Sequence, residues 1–197
     1  MEQFRQPVGR VLAPLVAGLV RLGVTADSIT VFGCLGSVAV GAMIAQGWLQ
    51  LAGAAFLTVS ALDFLDGAVA RASGTARPFG AFLDSLLDRL AEAAVMAGLV
   101  YFFALAGRPL EAVLVTVALV GSYTVSYARA RAEGLGYDCA VGWLQRPERV
   151  LILGLGLLFP DQLLVPALAI LAVFTSVTVW QRGAHVARLM RKPSSAE

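Results

Sequence analysis

The sequence is short of charged side chains and of the residues that usually build metal clusters or disulfide frameworks. Only 14% of its 197 residues are charged, against about 25% in soluble domains. One histidine and two cysteines argue against a zinc-type site or a disulfide scaffold. A formal net charge of +2, with no basic run interleaved with aromatic residues, argues against nucleic-acid binding. This scarcity of charge predicts a protein of the lipid bilayer.

Apolar residues fall into six runs separated by short polar or glycine-containing turns, and a membrane-spanning helix needs roughly 20 mostly apolar residues. The predicted spans cover residues 28–47, 50–71, 80–106, 110–133, 147–159 and 163–183. Residues 1–24 place apolar side chains at helical spacing with arginines between them, which predicts an interfacial amphipathic helix. The predicted fold is an all-α integral membrane protein with one domain over residues 1–197, whose six-span bundle occupies residues 25–187.

The basic residues indicate the orientation of this bundle. If both termini lie on one side of the membrane, the turns at residues 47–50, 107–110 and 159–162 lie on the other side. The only basic residue in these three turns is Arg108. The remaining fourteen of the fifteen Lys and Arg residues then lie on the side of the termini. Cytoplasmic ends carry such an excess. The sequence thus predicts a multi-pass protein of the cell membrane whose polar span ends face the cytoplasm.

Four aspartates lie close together on spans two and three, where the membrane makes charge expensive. Asp63 and Asp66 share a helical face, as do Asp84 and Asp88 on the next span. A carboxylate inside a span costs at least ~2.5–3.5 kcal/mol on insertion scales. Four such groups facing one another also repel, and divalent cations with oxygen ligands offset that charge. We therefore predict that these four aspartates bind two Mg²⁺ ions, with Mn²⁺ as a substitute.

Two functional classes fit carboxylates inside a membrane. Ion-coupled transporters use them on ion paths, often near the midplane and within internal repeats. Here the cluster lies towards the cytoplasmic third, and the chain shows no internal repeat. Two metals that clamp a phosphate for in-line displacement fit this position better. Gly67, Ala70 and Gly80 would let a bulky ligand approach the backbone closely.

The same stretch resembles the signature of the CDP-alcohol phosphotransferases, D-x2-D-G-x2-A-R-x8-G-x3-D-x3-D. The matching positions are Asp63, Asp66, Gly67, Ala70, Arg71, Gly80, Asp84 and Asp88. The resemblance implies that Asp63, Asp66 and Asp84 bind metal, and that Asp88 binds metal and is also the catalytic general base. In this family an acceptor alcohol attacks the lipid-linked phosphorus of CDP-diacylglycerol, and CMP leaves. The resemblance also implies a homodimer.

The resemblance extends to the residues around the CDP-linked lipid. The stretch from Thr25 to Thr30 is similar to the family's Thr-Pro-Asn/Asp-x-x-Thr, with Ala26 in place of the proline. The implied CDP-lipid contacts are Asp27, Ser28, Ile29, Thr30, Gly67, Ala70, Arg71, Arg77 and Gly80.

A second polar region indicates the acceptor. Ser126 and Arg129 share a face of span four, Arg149 lies one turn into span five, and Arg182 ends span six. Guanidinium groups suit phosphate, so the cluster predicts a phosphorylated acceptor. The region resembles that of phosphatidylinositol phosphate synthases, with Arg129 in place of their usual lysine. The resemblance implies inositol 1-phosphate held by these four residues, and glycerol phosphate, the acceptor of phosphatidylglycerophosphate synthases, is the alternative.

Overall fold

Six helices joined by short connections follow one another between residues 26 and 191. They are α1 Ala26–Ala45, α2 Leu49–Ala72, α3 Pro78–Leu105, α4 Pro109–Gly134, α5 Arg146–Leu158 and α6 Pro160–Arg191. The structure is a computed structural model that describes residue 14, residues 16–75 and residues 77–191, apart from the side chains of Asp63 and Phe64. Across these residues all regular secondary structure is helical, which confirms the predicted all-α class.

Local sequence signals set the ends of these helices. Thr25 caps α1 by accepting a hydrogen bond from the backbone N–H of Ser28 at 3.2 Å. Proline is the first residue of α3, α4 and α6, where its missing N–H costs nothing. Gly47 and Gly107 take φ values of 84° and 66° in the turns after α1 and α3. Such backbone angles favour glycine, so these turns are specified locally.

Four of the helices, α1, α2, α4 and α6, are long and apolar enough to cross a membrane. The helix α3 is long enough, but it carries four charged residues between its second and fourth turns: Asp84, Asp88, Arg89 and Glu92. The helix α5 has 13 residues, or about 20 Å, against a hydrocarbon thickness of about 30 Å. The protein is therefore an all-helical membrane protein with at least four candidate spans among its described residues.

The predicted span limits agree with the helix limits to within three residues, except at the last helix. That helix begins at Pro160 and continues to Arg191, eight residues beyond the predicted end of span six. Arg188 and Arg191 lie in its last turn, where cations interact favourably with the helix dipole. The predicted amphipathic helix at residues 1–24 falls mostly outside the described residues. Within its described part, residues 16–21 are helical.

The helices pack as a closed ring. Going round it, α1 contacts α2, α2 contacts α5, α5 contacts α6, α6 contacts α4, α4 contacts α3, and α3 returns to α1. Many large apolar side chains point outwards, among them Leu35, Leu51, Tyr101, Val113 and Val173, each more than half exposed. An apolar exterior of this extent suits contact with lipid tails.

Glycine allows a close contact between α1 and α3. A Cβ atom on Gly98 would overlap the backbone carbonyl of Gly41, and one on Gly41 would overlap the carbonyl oxygen of Ala94. Small residues permit such an approach between membrane helices. The α1–α3 pair in turn fixes how Asp27 and Thr30 on α1 face Asp84 on α3.

We expect Gly98→Ala to destabilise the protein by about 1–3 kcal/mol, because the added methyl group would force the backbones of α1 and α3 apart. Gly183→Ala is the matched control, because Gly183 is a helical glycine with open space around it. Its alanine variant should be neutral or more stable by up to roughly 1 kcal/mol. Thermal unfolding in one detergent compares the two variants. Equal melting temperatures would contradict the tight α1–α3 contact.

Candidate functional site

The predicted site residues lie at one end of the ring. This end is formed by the N-terminal parts of α1, α3 and α5 and the C-terminal halves of α2, α4 and α6. Two cavities open there, and α3 contributes lining residues to both. Asp84 lines the first cavity and Asp88 lines the second, although the two residues are only about 6 Å apart along the helix axis.

The first cavity, called here the carboxylate cavity, has a volume of about 230 Å³ and lies between α1, α2 and α3. Nine predicted metal or CDP-lipid contacts line it: Asp27, Thr30, Asp66, Gly67, Ala70, Arg71, Arg77, Gly80 and Asp84. Ala26, Thr75 and Ala81 also line it and were not predicted from the sequence. Residues far apart in the sequence thus meet around one space.

Asp66 is the buried carboxylate of this cavity, with 7% of the residue exposed. Its Oδ2 atom accepts a hydrogen bond from the Thr30 hydroxyl at 2.9 Å, and its Oδ1 atom accepts one from the backbone N–H of Gly67 at 2.5 Å. The Thr30 hydroxyl also lies 3.0 Å from the carbonyl oxygen of Ala26. The N-terminal part of α1 therefore holds the Asp66 carboxylate in place.

Two arginines border the carboxylate cavity and make it suitable for an anion. Arg71 lies across Gly67, where a Cβ atom would come within 3.3 Å of its Nη1 atom. Arg77 pairs with Asp27, and its guanidinium carbon lies 5.6 Å from the centre of the Phe79 ring. Cations and carboxylates in one cavity can hold a phosphate group together with a metal ion.

Two of the predicted residues that the structure describes, Ser28 and Ile29, are not among those that line the cavity. Ser28 completes the cap of α1 with Thr25, and Ile29 packs in an apolar cluster with Leu65 and Val69. Asp63 lies within α2, but its side chain is outside the described part of the structure. Of the CDP-lipid contacts predicted on α1, Asp27 and Thr30 line the cavity.

The second cavity, called here the arginine cavity, has a volume of about 460 Å³. It brings together all four predicted acceptor residues, Ser126, Arg129, Arg149 and Arg182, with Asp88. Its charged lining consists of five arginines and three carboxylates: Arg89, Arg129, Arg146, Arg149, Arg182, Asp88, Glu92 and Glu133. The lining thus carries a formal excess of two positive charges.

Two of these arginines are almost entirely buried, with 6% of Arg149 and 4% of Arg182 exposed. Arg182 donates hydrogen bonds to the carbonyl oxygens of Val141 at 2.8 Å and Val125 at 2.5 Å. A buried charge is costly unless it is compensated. Two buried guanidinium groups beside an open cavity therefore favour an anionic ligand.

Asp88 faces the arginine cavity rather than the carboxylate cavity. One of its carboxylate oxygens lies 2.6 Å from Arg146 and the other 3.8 Å from Arg89, and its side chain is 11% exposed. Of the four aspartates predicted as one metal site, Asp66 and Asp84 thus line one cavity and Asp88 lines the next, and the side chain of Asp63 is not among those described. Among the described side chains, no three histidine, cysteine or acidic residues form a metal cluster.

The donor chemistry of this region nevertheless fits a divalent cation. Asp66 and Asp84 supply carboxylate oxygens from two helices to one cavity, and Asp88 follows Asp84 by one turn. Oxygen ligands of this kind are those that Mg²⁺ and Mn²⁺ take.

Sequence reasoning did not assign Arg89, Glu92 and Arg146 to the site. Glu92 follows Asp88 by four residues, and Arg146 precedes Arg149 by three, so each lies on the same helical face as a predicted residue. Glu92 and Arg146 could have been identified from that spacing. Arg89 has no comparable signal, because it simply follows Asp88 in the chain.

Comparison with known proteins identifies the family of this chain. The model of the CDP-alcohol phosphatidyltransferase family matches residues 23–183. The phosphatidylinositol phosphate synthase of Mycobacteroides abscessus is 37% identical over 185 residues, which cover 90% of this chain and 84% of that enzyme. The archaetidylinositol phosphate synthase of Methanothermobacter thermautotrophicus is 39% identical over 195 residues, which cover 92% and 95%.

A solved relative has the same fold. The crystal structure of Mycobacterium tuberculosis phosphatidylinositol phosphate synthase with CDP-DAG bound matches with a TM-score of 0.84 at 33% identity, covering 95% of this chain and 98% of that one. The same enzyme in complex with manganese and citrate matches with a TM-score of 0.83 at 34% identity, covering 93% and 91%. Because both the family model and these relatives align over most of its length, the chain belongs to the CDP-alcohol phosphatidyltransferase family.

Proposed function

We propose that this enzyme transfers the phosphatidyl group of CDP-diacylglycerol to inositol 1-phosphate, releasing CMP and forming phosphatidylinositol phosphate. One observation carries the proposal: Ser126, Arg129, Arg149 and Arg182 surround a single cavity together with Asp88. Relatives named for inositol phosphate transfer support it. Membership of an enzyme family removes the transporter alternative that the sequence left open.

Charge complementarity favours a phosphorylated acceptor. A phosphate monoester carries about −1.5 to −2 charges at neutral pH, which matches the two excess positive charges of the arginine cavity. Uncharged inositol would leave that excess without a partner, and serine would bring a single carboxylate together with its own ammonium group. Inositol 1-phosphate and glycerol phosphate each carry one phosphate monoester, so charge does not distinguish them. The preference between these two acceptors depends on how the cavity binds the polyol part.

The carboxylate cavity is the proposed site of the CDP-lipid and its metal ions. Asp66 and Asp84 line this cavity and Asp88 lies one helical turn beyond Asp84. Together with Asp63 they would hold two Mg²⁺ or Mn²⁺ ions, and the manganese complex of the M. tuberculosis relative supports this choice. Bound metal supplies positive charge that offsets the diphosphate and the developing negative charge of the reaction. Arg71 and Arg77 border the same cavity and would add charge-assisted hydrogen bonds to the phosphates.

The division of the aspartates between two cavities supports a direct displacement. The acceptor's phosphate is held by the arginines, and its reacting hydroxyl meets Asp88 where the two cavities border each other on α3, one helical turn from Asp84. Asp88 takes the hydroxyl proton, the oxygen forms a bond to the lipid-linked phosphorus, and the bond from that phosphorus to the CMP oxygen breaks. Holding both substrates against one helical turn lowers the entropic cost of their meeting.

The setting in the membrane is part of the proposal. We propose that residues 1–197 form a single domain and that all six helices embed in the cell membrane, with both cavities facing the cytoplasm. The arginine-rich end of the ring supports this orientation, because cytoplasmic ends are enriched in basic residues. The homodimer implied by the family resemblance stays a prediction.

A panel of acceptors tests the proposed reaction. Purified enzyme in nanodiscs receives CDP-diacylglycerol, Mg²⁺ and one of four acceptors: inositol 1-phosphate, glycerol 3-phosphate, inositol or serine. We expect CMP release with inositol 1-phosphate at a kcat/KM at least about tenfold above the others, and none after chelation with EDTA. A preference for glycerol 3-phosphate would establish the alternative, and a preference for an unphosphorylated acceptor would refute the role of the arginine cavity.

A further inference from the structure

We infer that Glu92 is a positioning residue that fixes the Arg149 guanidinium for the acceptor's phosphate. The inference rests on the proposed function, because it assigns the arginine cavity to a phosphorylated acceptor. Glu92 lines the arginine cavity itself, and the role inferred for it is exerted through Arg149.

The contacts of Glu92 link three helices at the centre of the ring. Its Oε1 atom, on α3, accepts a hydrogen bond from the Ser122 hydroxyl of α4 at 2.5 Å. The same oxygen lies 3.6 Å from the Nε atom of Arg149 on α5. Glu92, Ser122 and Arg149 also line a small central cavity of about 30 Å³, to which all six helices contribute. Glu92 therefore lies where the ring's helices converge.

Arg149 depends on Glu92 for its position. Its Nε atom makes no hydrogen bond to any described residue, and Nη1 lies 3.5 Å from the carbonyl oxygen of Leu144, at the weak limit of hydrogen bonding. Glu92 is the only carboxylate in an ion pair with Arg149 among the described residues. A long side chain with so few direct bonds is oriented mainly by that charge.

Ser122 gives Glu92 a fixed place from which to act. The serine residue is 1% exposed, and its hydrogen bond to a carboxylate is of the stronger, charge-assisted kind. The series Ser122, Glu92, Arg149 thus runs from the packed interior towards the arginine cavity. A guanidinium held in this way loses less entropy when it binds a phosphate, which is the benefit of preorganisation.

Glu92→Gln tests this role, because glutamine keeps the shape and the oxygen that Ser122 contacts but removes the charge. We expect the KM for inositol 1-phosphate to rise about tenfold, with the KM for CDP-diacylglycerol unchanged to within about twofold. Steady-state CMP release measures both constants. A residue with a merely structural role would change the melting temperature and the amount of active enzyme without separating the two KM values.

Ser122→Ala tests the position of the Glu92 carboxylate separately from its charge. It leaves the carboxylate in place but removes the hydrogen bond from Ser122 that fixes it. We expect the acceptor KM to rise about threefold in this variant. Glu111→Gln is the matched control, since Glu111 pairs with Arg108 at 2.8 Å near the start of α4, where the α3–α4 turn joins it. Both of its KM values should stay within about twofold of the wild type.

The outcomes distinguish the failure of this inference from failure of the proposed function. If the wild-type enzyme releases no CMP with inositol 1-phosphate or glycerol 3-phosphate, the proposed function fails. If the wild type turns over but Glu92→Gln leaves the acceptor KM unchanged or lowers it, the inference is overturned, because Glu92 would then be neutral or repel the phosphate. An unchanged acceptor KM in Ser122→Ala would show that Glu92 acts by charge alone and would overturn the positioning role.

Discussion

Replacing Asp88 by asparagine is expected to lower kcat by about 10²–10⁴-fold, the usual contribution of a general base. Asparagine has nearly the same shape but cannot take the acceptor's proton. Asp88 lines the arginine cavity and follows Asp84 by one turn, so its loss should affect the chemical step more than the binding of the CDP-lipid. Single-turnover CMP release gives the rate, and binding of labelled CDP-diacylglycerol to the variant gives the affinity, which should change by less than about threefold.

Two further variants keep this prediction specific to the base. Arg146→Gln breaks the ion pair between Arg146 and Asp88 at 2.6 Å but leaves the carboxylate, and it should retain at least about ten times the kcat of Asp88→Asn. Asp161→Asn makes the same chemical change in the first turn of α6 and should leave kcat unchanged. An Asp88→Asn enzyme with more than a tenth of wild-type kcat would exclude Asp88 as the base.

The helices were largely predictable because their signals are local. Apolar runs between Gly47, Gly107 and the prolines that open helices determine where each segment starts and stops. The last helix was predicted too short, because its C-terminal part is basic and therefore looked like a tail. Its charges lie where the dipole favours them, so the polar composition did not end the helix.

The carboxylate cavity was also largely predictable, because α2 and α3 are consecutive and a short loop brings their motif residues together. The positions of the four predicted CDP-lipid contacts on α1 follow from helical geometry. Successive residues turn by about 100°, so Asp27 and Thr30 share a face while Ser28 and Ile29 point elsewhere. Once Thr25 is recognised as the helix cap, the sequence itself shows which of residues 27–30 share a helical face.

The arginine cavity depends on long-range order that the sequence does not show. The helices α3 and α5 are separated in the chain by α4, and the contact between Glu92 and Arg149 exists only because the ring runs α1, α2, α5, α6, α4, α3. Spacing within one helix identifies residues on the same face, but it cannot state which face meets which neighbour. The sequence therefore indicated a cluster of arginines but not Glu92, the carboxylate that pairs with Arg149.

Replacing Asp66 by asparagine is expected to lower kcat/KM for CDP-diacylglycerol at least about a hundredfold, through loss of metal affinity. The fold should survive this change. The Thr30 hydroxyl can donate to the carbonyl oxygen of Ala26 at 3.0 Å and accept a hydrogen bond from the new amide, so neither buried polar group loses its partner. The neutral amide still offers an oxygen to a metal but no negative charge, and two divalent ions need that charge.

Titration with Mn²⁺ followed by electron paramagnetic resonance measures this loss directly, since free and bound Mn²⁺ give different signals. Thr30→Val is the informative comparison, because it removes the hydroxyl that holds Asp66 at 2.9 Å but keeps the carboxylate. It should weaken Mn²⁺ binding by no more than the 10–100-fold typical of an outer-shell partner, while Asp66→Asn should exceed that range. Wild-type Mn²⁺ affinity in a folded Asp66→Asn enzyme would remove Asp66 from the metal site. The carboxylate cavity would then bind the CDP-lipid through Arg71 and Arg77, with the metal held elsewhere.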